Sequence, residues 1–372
     1  MKRLIGLFFV LVVGLTAQER AKNVILFLGD AGGIPTVSAA SIYGYNEPRR
    51  LFIQNMPHIG LMETSSASSW VTDSAAGMTA IVTGYKTYNG VLSQSETAVR
   101  GKKDGKPLKT ILEYAEENGL STGVVSNSSA ASATPAACYA QSNDRKKEGE
   151  IFAQVLAPRF GDGVDVVIGA GRKSIVKETQ ALGLDLTPAL AAKGYQFADS
   201  LEAIPAGAER LVVLFDSGNF DLDAATERAI EVLSRNPKGF FLMVESDLHT
   251  EKLIQGLERT VVFDRVIRRT AERMKDTLVI YTADHSYDLR VHSGKRGSPL
   301  IAEPELSSLP NTDESIRLKN VRRDDDHTGE EVLVSAQGPG AERVRGILAN
   351  TDLFHIRMAA FGWGPAAVTN GR

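Results

Sequence analysis

Asn23-Val24-Ile25-Leu26-Phe27-Leu28-Gly29-Asp30-Ala31-Gly32-Gly33 holds an apolar run that stops at glycines and one carboxylate. Apolar residues without alternation predict a strand over Asn23–Leu28 buried on both faces, as in parallel sheets with helices on each side. Such sheets gather ligands beyond the C-terminal ends of their strands, where Asp30 stands. Taken alone, Asp30 reads equally well as a turn residue.

The pattern repeats outward from this run. Ser121–Ser126, Val164–Gly169, Leu211–Phe215, Phe240–Val244, Thr277–Thr282 and Leu333–Ala336 read as further strands. Helical spacing covers Leu108–Glu117, Asp223–Arg235, roughly Thr250–Met274 and Leu353–Phe361, with weaker patterns within 173–210. Thr134 and Pro135 open another helix as N-cap and first-turn proline, running towards Arg145. Alternating strands and helices predict an α/β fold: a three-layer sandwich whose large, mostly parallel central sheet is covered by helices on both faces. No repeat or linker divides the chain, so residues 22–365 read as one domain.

Chemistry-bearing residues cluster at the ends of these runs. In Trp70–Leu92, Thr72-Asp73-Ser74-Ala75-Ala76-Gly77 starts a helix of small residues, and a serine there meets free N–H groups that favour an anion. Glu245, Asp247 and His249 follow the FFLMV strand and share one side if the backbone stays extended. Three such groups at a buried strand end are costly unless they bind something, which points to a metal. Asp284 and His285 follow the TLVIYT strand, and His327 closes the run Asp324-Asp325-Asp326, which reads as an acidic loop. On their own, Thr134 reads as a cap and Arg145 as a solvated charge.

Composition narrows the classes. The 372 residues carry a net charge of −3, with no field that draws nucleic acid or anionic membranes. The one cysteine, Cys138, excludes an intramolecular disulfide and a multi-thiolate zinc site. Lys2 and Arg3 precede an apolar run from Leu4 to Leu15, and Ala17 offers a small residue for cleavage. Residues 1–17 therefore read as a signal peptide, too short to insert stably in a membrane, and predict a periplasmic or secreted protein.

Assembled, these residues resemble the alkaline phosphatases over roughly Lys22–Gly362. LFLGDAGG, TDSAA with TGYKTYNG, ATPAACYAQSNDR, DVVIGAGR, GFFLMVES, YTADHS, HTGEEV and AQGPGA each echo a family block in order. The resemblance implies hydrolysis of small-molecule phosphate monoesters through a phosphoserine on two Zn2+ ions and one Mg2+ ion, in a homodimer. Ser74 is implied as nucleophile, Arg145 as the phosphate clamp and Asp73 as its orienting neighbour. Asp30 is implied to bridge the magnesium and one zinc. Thr134 and Glu245 complete the magnesium ligands, while Asp284 and His285 hold the zinc that touches Ser74. His327 is implied for the second, water-activating zinc.

Three features depart from the family pattern. Glu245, Asp247 and His249 stand at alternate positions, where the family spaces the aspartate and histidine more widely; Asp247 and His249 are the candidates for the second zinc, with Glu251 as alternative. Ser132 replaces a common aspartate or histidine, and GDAGG replaces GDGMG. A phosphodiesterase on the same scaffold and a metal- or phosphate-binding protein without turnover are the competing readings.

Overall fold

The computed structural model describes residues 20–309 and 315–364; the expected signal peptide, residues 1–17, lies outside them. Thirteen strands are present among the described residues. They are β1 Asn23–Asp30, β2 His58–Met62, β3 Ser121–Ser129, β4 Val166–Ala170, β5 Gln196–Ala198, β6 Leu211–Leu214 and β7 Phe240–Asp247. The rest are β8 Thr277–Thr282, β9 Ser286–Val291, β10 Ile316–Arg317, β11 Val321–Thr328, β12 Val332–Gln337 and β13 Gly346–Leu348. The helices that precede β3 are α1 Ile34–Tyr45, α2 Ser74–Thr83 and α3 Ile111–Glu117. Then come α4 Ala133–Tyr139, α5 Glu148–Ala153, α6 Arg172–Ala181, α7 Leu186–Ala192 and α8 Leu222–Leu233. The last are α9 Leu253–Arg273, α10 Glu303–Leu306 and α11 Asp352–Phe361.

Ten strands form one sheet in the order β13-β2-β12-β8-β1-β7-β3-β4-β6-β5. Only β12 runs antiparallel to its neighbours. The apolar run quoted first lies at the centre, β1 pairing with β7 on one side and β8 on the other. Its side chains divide between two cores. Val24, Leu26 and Leu28 pack with α2, α4 and α11, whereas Ile25 and Phe27 pack with α1, α8 and α9. Phe27 meets Phe263 of α9 edge to face, with ring centroids 5.7 Å apart. Strand residues buried on alternate faces by two helix layers are what a run without alternation requires, and the expected three-layer α/β sandwich is observed.

Local corrections have local causes. The N-cap of α4 is Ser132, and Thr134 lies inside the first turn. Pro135 is tolerated there because first-turn N–H groups have no intrahelical partner. That helix ends at Tyr139 because Ser142 pairs with Leu92 in both directions, at 2.8 and 3.0 Å, which draws the chain into an extended bridge. The segment around Asp324 is a strand: β11 pairs antiparallel with β9, and β10 completes a second, three-stranded sheet. Charged residues hid it, because a strand solvated on one face shows no apolar run.

At the N-terminal end of β3, at the opposite end of the sheet's strands from Asp30, Glu116 is buried beside Asp165. Thr122 Oγ1 donates to Glu116, and Gly163 N donates to its Oε2 at 3.1 Å. Burial, with Asp165 and Asp162 adding repulsion, pushes Glu116 up to about 7. A carboxyl with a raised folded pKa favours the fold most below its ordinary range and loses that contribution as pH rises through 7. Glu116→Gln is expected to shrink the fall in urea midpoint between pH 5 and pH 8, and an unchanged fall counts against this assignment.

Candidate active site and metal centre

Helix α2 starts where its sequence allows. Asp73 is the N-cap in extended backbone (φ −102°, ψ 169°), and its Oδ1 accepts from Ala76 N at 3.1 Å. Ser74 is thus the first helical residue, only 3% exposed. Small residues let the whole helix sink into the core: a Cβ at Gly77 would stand 3.2 Å from Asp284 Cβ. Gly84 ends the helix in the left-handed region at φ 77°, where other residues are strained. Arg145 Nη1 reaches Asp73 Oδ2 at 3.2 Å, so the cap residue also holds the arginine beside Ser74.

Parallel pairing gathers the carboxylates. Register sets Asp30 of β1 beside Asp247 of β7, and Leu28 beside both Glu245 and Thr282. Asp284 follows two residues after Thr282 and is fully buried. The Asp30 carboxylate is central: Ser74 Oγ lies 3.3 Å from Oδ2, Thr134 Oγ1 3.4 Å from Oδ2, and His285 Nε2 3.3 Å from Oδ1. Ser74 Oγ is also 3.4 Å from His285 Nε2. Glu245 accepts from Ser126 Oγ through Oε2, leaving Oε1 buried without a partner. Asp284 Oδ1 accepts from His285 N at 3.0 Å and Ala31 N at 3.3 Å, while Oδ2 has no hydrogen bond.

The imidazoles share one arrangement. Nδ1 of His285 lies 3.1 Å from the Ser286 carbonyl, and Nδ1 of His327 lies 3.4 Å from the Thr72 carbonyl. Nδ1 of His249 is 2.9 Å from Asp247 Oδ1. Each of these acceptors matches a proton on Nδ1, so Nε2 is the nitrogen turned towards the carboxylates and the neighbouring rings. His249 Nε2 and His327 Nε2 face each other at 3.4 Å. His327 arrives through the β9–β11 pairing, opposite Tyr287.

Charges this close and this buried are strongly shifted. Burial and the neighbouring Asp30 raise Glu245 well above the carboxylate range and push Asp284 up to about 6. Burial works against ionised Asp30 too, yet the charges of His249, His285 and Arg145 hold it far below that range. Burial opposes charge on His249, but Asp30, Asp247 and Glu251 outweigh it and carry the group up to about 10. His327 falls to about 4 through burial and the other two imidazoles.

Two sets of ligand atoms lie within 4.8 Å of one another: Asp30, Asp284 and His285, and His249, His285 and His327. Orphaned carboxylate oxygens and inward-facing Nε2 atoms are the donors that divalent zinc and magnesium need. The residues fit such ions. The eight positions expected as nucleophile, orienting neighbour or ligand on β1, at α2, on α4, on β7 and in the β8–β9 turn, together with Arg145 in the turn before α5, His249 and His327, lie in this one region. Arg259, Ser126 and the Ser286 carbonyl were missed. Arg259 sits within an amphipathic helix, Ser126 within a strand, and a carbonyl has no side-chain signature.

A ten-stranded α/β sandwich thus sets a capped serine against converging carboxylates and imidazoles. The family profile described as alkaline phosphatase matches residues 21–314, and the chain belongs to that family. The alkaline phosphatase of Escherichia fergusonii is 32% identical over 93% of this chain and 87% of its own. The streptomycin-6-phosphate phosphatase of Streptomyces griseus is 31% identical, covering 93% of each chain. The alkaline phosphatase of the Antarctic bacterium TAB5 superposes with a TM-score of 0.75 at 26% identity, covering 94% of this chain and 100% of that one. A variant of that enzyme has magnesium bound in its M3 site.

Glu245→Gln keeps the side-chain shape but removes one of three crowded carboxylates. With chelator present the variant is expected to melt at or above wild type, and zinc plus magnesium are expected to raise its Tm less. Thermal melts of both proteins with and without metals check this; an undiminished metal increment excludes Glu245 as a ligand.

Proposed function

We propose that this phosphatase transfers the phosphoryl group of small phosphate monoesters to Ser74 and then to water. The observation that carries the reading is Ser74 Oγ, buried at a helix start, 3.3 Å from Asp30 and 3.4 Å from His285, with Arg145 held alongside by Asp73. Free N–H groups at the start of α2 favour the phosphoryl anion there. Arg145 offers a planar fork to two of its oxygens, which suits a dianionic monoester better than a diester.

Asp30, Thr134 and Glu245 would hold the magnesium, and Asp30, Asp284 and His285 the zinc beside Ser74. His249 and His327, with Asp247 next to them, would hold the second zinc. When bound, these ions supply Lewis acidity that offsets charge on the attacking and leaving oxygens. Ser74 Oγ loses its proton and forms its bond to phosphorus as the ester oxygen departs on the opposite side, taking a proton from solvent water to leave as the alcohol. Water then attacks the phosphoserine from that side, restoring Ser74 and releasing inorganic phosphate. Positioning and charge stabilisation are most of what this transfer asks of a protein.

The reading extends to the rest of the chain. Residues 22–365 would act as one catalytic domain, supported by the unbroken ten-stranded sheet. Export to a periplasm or medium is supported by the charged and apolar pattern before Ala17. No helix among the described residues is long and apolar enough to cross a membrane. A homodimer rests on the family resemblance alone.

Ser74→Ala is expected to lower turnover of a phosphate monoester by about 10³-fold or more while metal content stays at the wild-type level. Normal turnover excludes Ser74 as nucleophile. Arg145→Ala is expected to weaken inhibition by inorganic phosphate about 10- to 100-fold, the scale of one charged hydrogen-bonding group. Unchanged inhibition constants remove the clamp role.

A further inference from the structure

Both oxygens of the Asp247 side chain are already engaged by the protein. Oδ2 accepts from Arg259 Nη1 at 2.8 Å, and the same nitrogen reaches the Asp247 carbonyl at 3.3 Å. Oδ1 accepts from the backbone N–H of His249 at 3.2 Å and lies 2.9 Å from His249 Nδ1. The strand end is pinned from the β3 side as well, Asp247 N donating to Asn127 Oδ1 at 2.7 Å.

The two-residue spacing explains the arrangement. An aspartate readily accepts from the backbone N–H two residues on, forming a tight turn at the end of its strand. That turn carries the His249 ring against the same carboxylate oxygen, so the pair shares a hydrogen bond. A proton on Nδ1 satisfies the contact, because a carboxylate only accepts, and Nε2 is left as the donor atom. His249 Nε2 then faces His327 Nε2 at 3.4 Å, a separation at which both nitrogens can turn to one shared cation. His285 brings a third nitrogen within 4.8 Å.

We infer that Asp247 is a positioning residue, fixing the tautomer and orientation of His249 from behind, and that Arg259 on α9 anchors it there. The second metal is held through the Nε2 atoms of His249 and His327. This rests on the metal-centre reading above and differs from it in taking Asp247 out of the ligand set. Arg259 has no counterpart in the motifs that carry the family resemblance. Pairing with it offsets the Asp247 charge, so the metal sees an imidazole-rich corner, which favours zinc or cobalt over magnesium.

The test uses the full chain and zinc alone. Zinc equivalents are counted by elemental analysis, and affinity is measured by chelator competition, for wild type, Asp247→Ala, Arg259→Met, Arg259→Lys and His327→Ala. Asp247→Ala and Arg259→Met are expected to keep the wild-type number of equivalents at saturation while affinity at one site falls about 10- to 100-fold, the usual cost of losing a partner behind a metal-bound histidine. Arg259→Lys is expected to recover part of that loss, and His327→Ala to lose one equivalent. If Asp247→Ala also loses a full equivalent, or Arg259→Met binds zinc as tightly as wild type, the positioning role is overturned while the metal centre stands. If His327→Ala retains every equivalent, the metal-centre reading itself fails. Zinc-edge anomalous diffraction from zinc-loaded wild type adds a direct check: an Asp247 oxygen within bonding distance of a zinc overturns the inference.

Discussion

Asp30, Glu245 and Asp284 share one buried volume at the C-terminal ends of β1 and β7 and after β8. Three carboxylates out of water cannot all be ionised without cations, since desolvation and mutual repulsion act together. The metal-free protein meets this constraint partway. Glu245 and Asp284 are driven towards the protonated form, and Asp30 stays charged by drawing on His249, His285 and Arg145. Divalent ions held as proposed above would remove the conflict outright.

The surroundings of that volume follow from the constraint. A carboxylate cluster at the strand ends needs a rigid frame, and β1, β7 and β8 supply it as adjacent central strands covered on both faces. Ser74 reaches the cluster from outside the sheet. Helix α2 achieves this by being almost entirely small or apolar, with Gly77 where it crosses Asp284. Asp73 joins the two demands on that helix: one oxygen caps its N-terminus and the other holds Arg145. A single residue therefore fixes both the start of the helix and the reach of the arginine.

Legibility in the sequence tracked burial. Strands β1, β7 and β8 were plain as apolar runs, and the acids at their ends were plain because each is the first charge to interrupt its run. Segments whose pairing depends on distant partners were opaque. β9 and β11 carry charges along their length, so Asp324 to His327 read as a loop, although their pairing is what delivers His327 to the site. Helix α1 was missed because its residues Ile34–Tyr45 mix buried small residues with exposed large ones and show little periodicity. Arg259 was invisible for another reason: an arginine on a helix face looks solvated until the strand end it touches is known.

The compressed Glu245–His249 block shows which spacings a fold can change. Glu245 is tied by register to Leu28 of β1 and Ser126 of β3, so moving it by one residue would turn its side chain to the other face of the sheet. Beyond Asp247 the chain leaves the sheet and no ladder fixes its register. Shortening there costs no strand pairing; it changes only how the next side chains turn back. In this chain the shorter turn makes aspartate and histidine hydrogen-bonding partners, and Arg259 absorbs the charge that results. Variation in the site is thus confined to the segment where the sheet has stopped dictating geometry, and the chemistry adjusts by changing which atoms face inward.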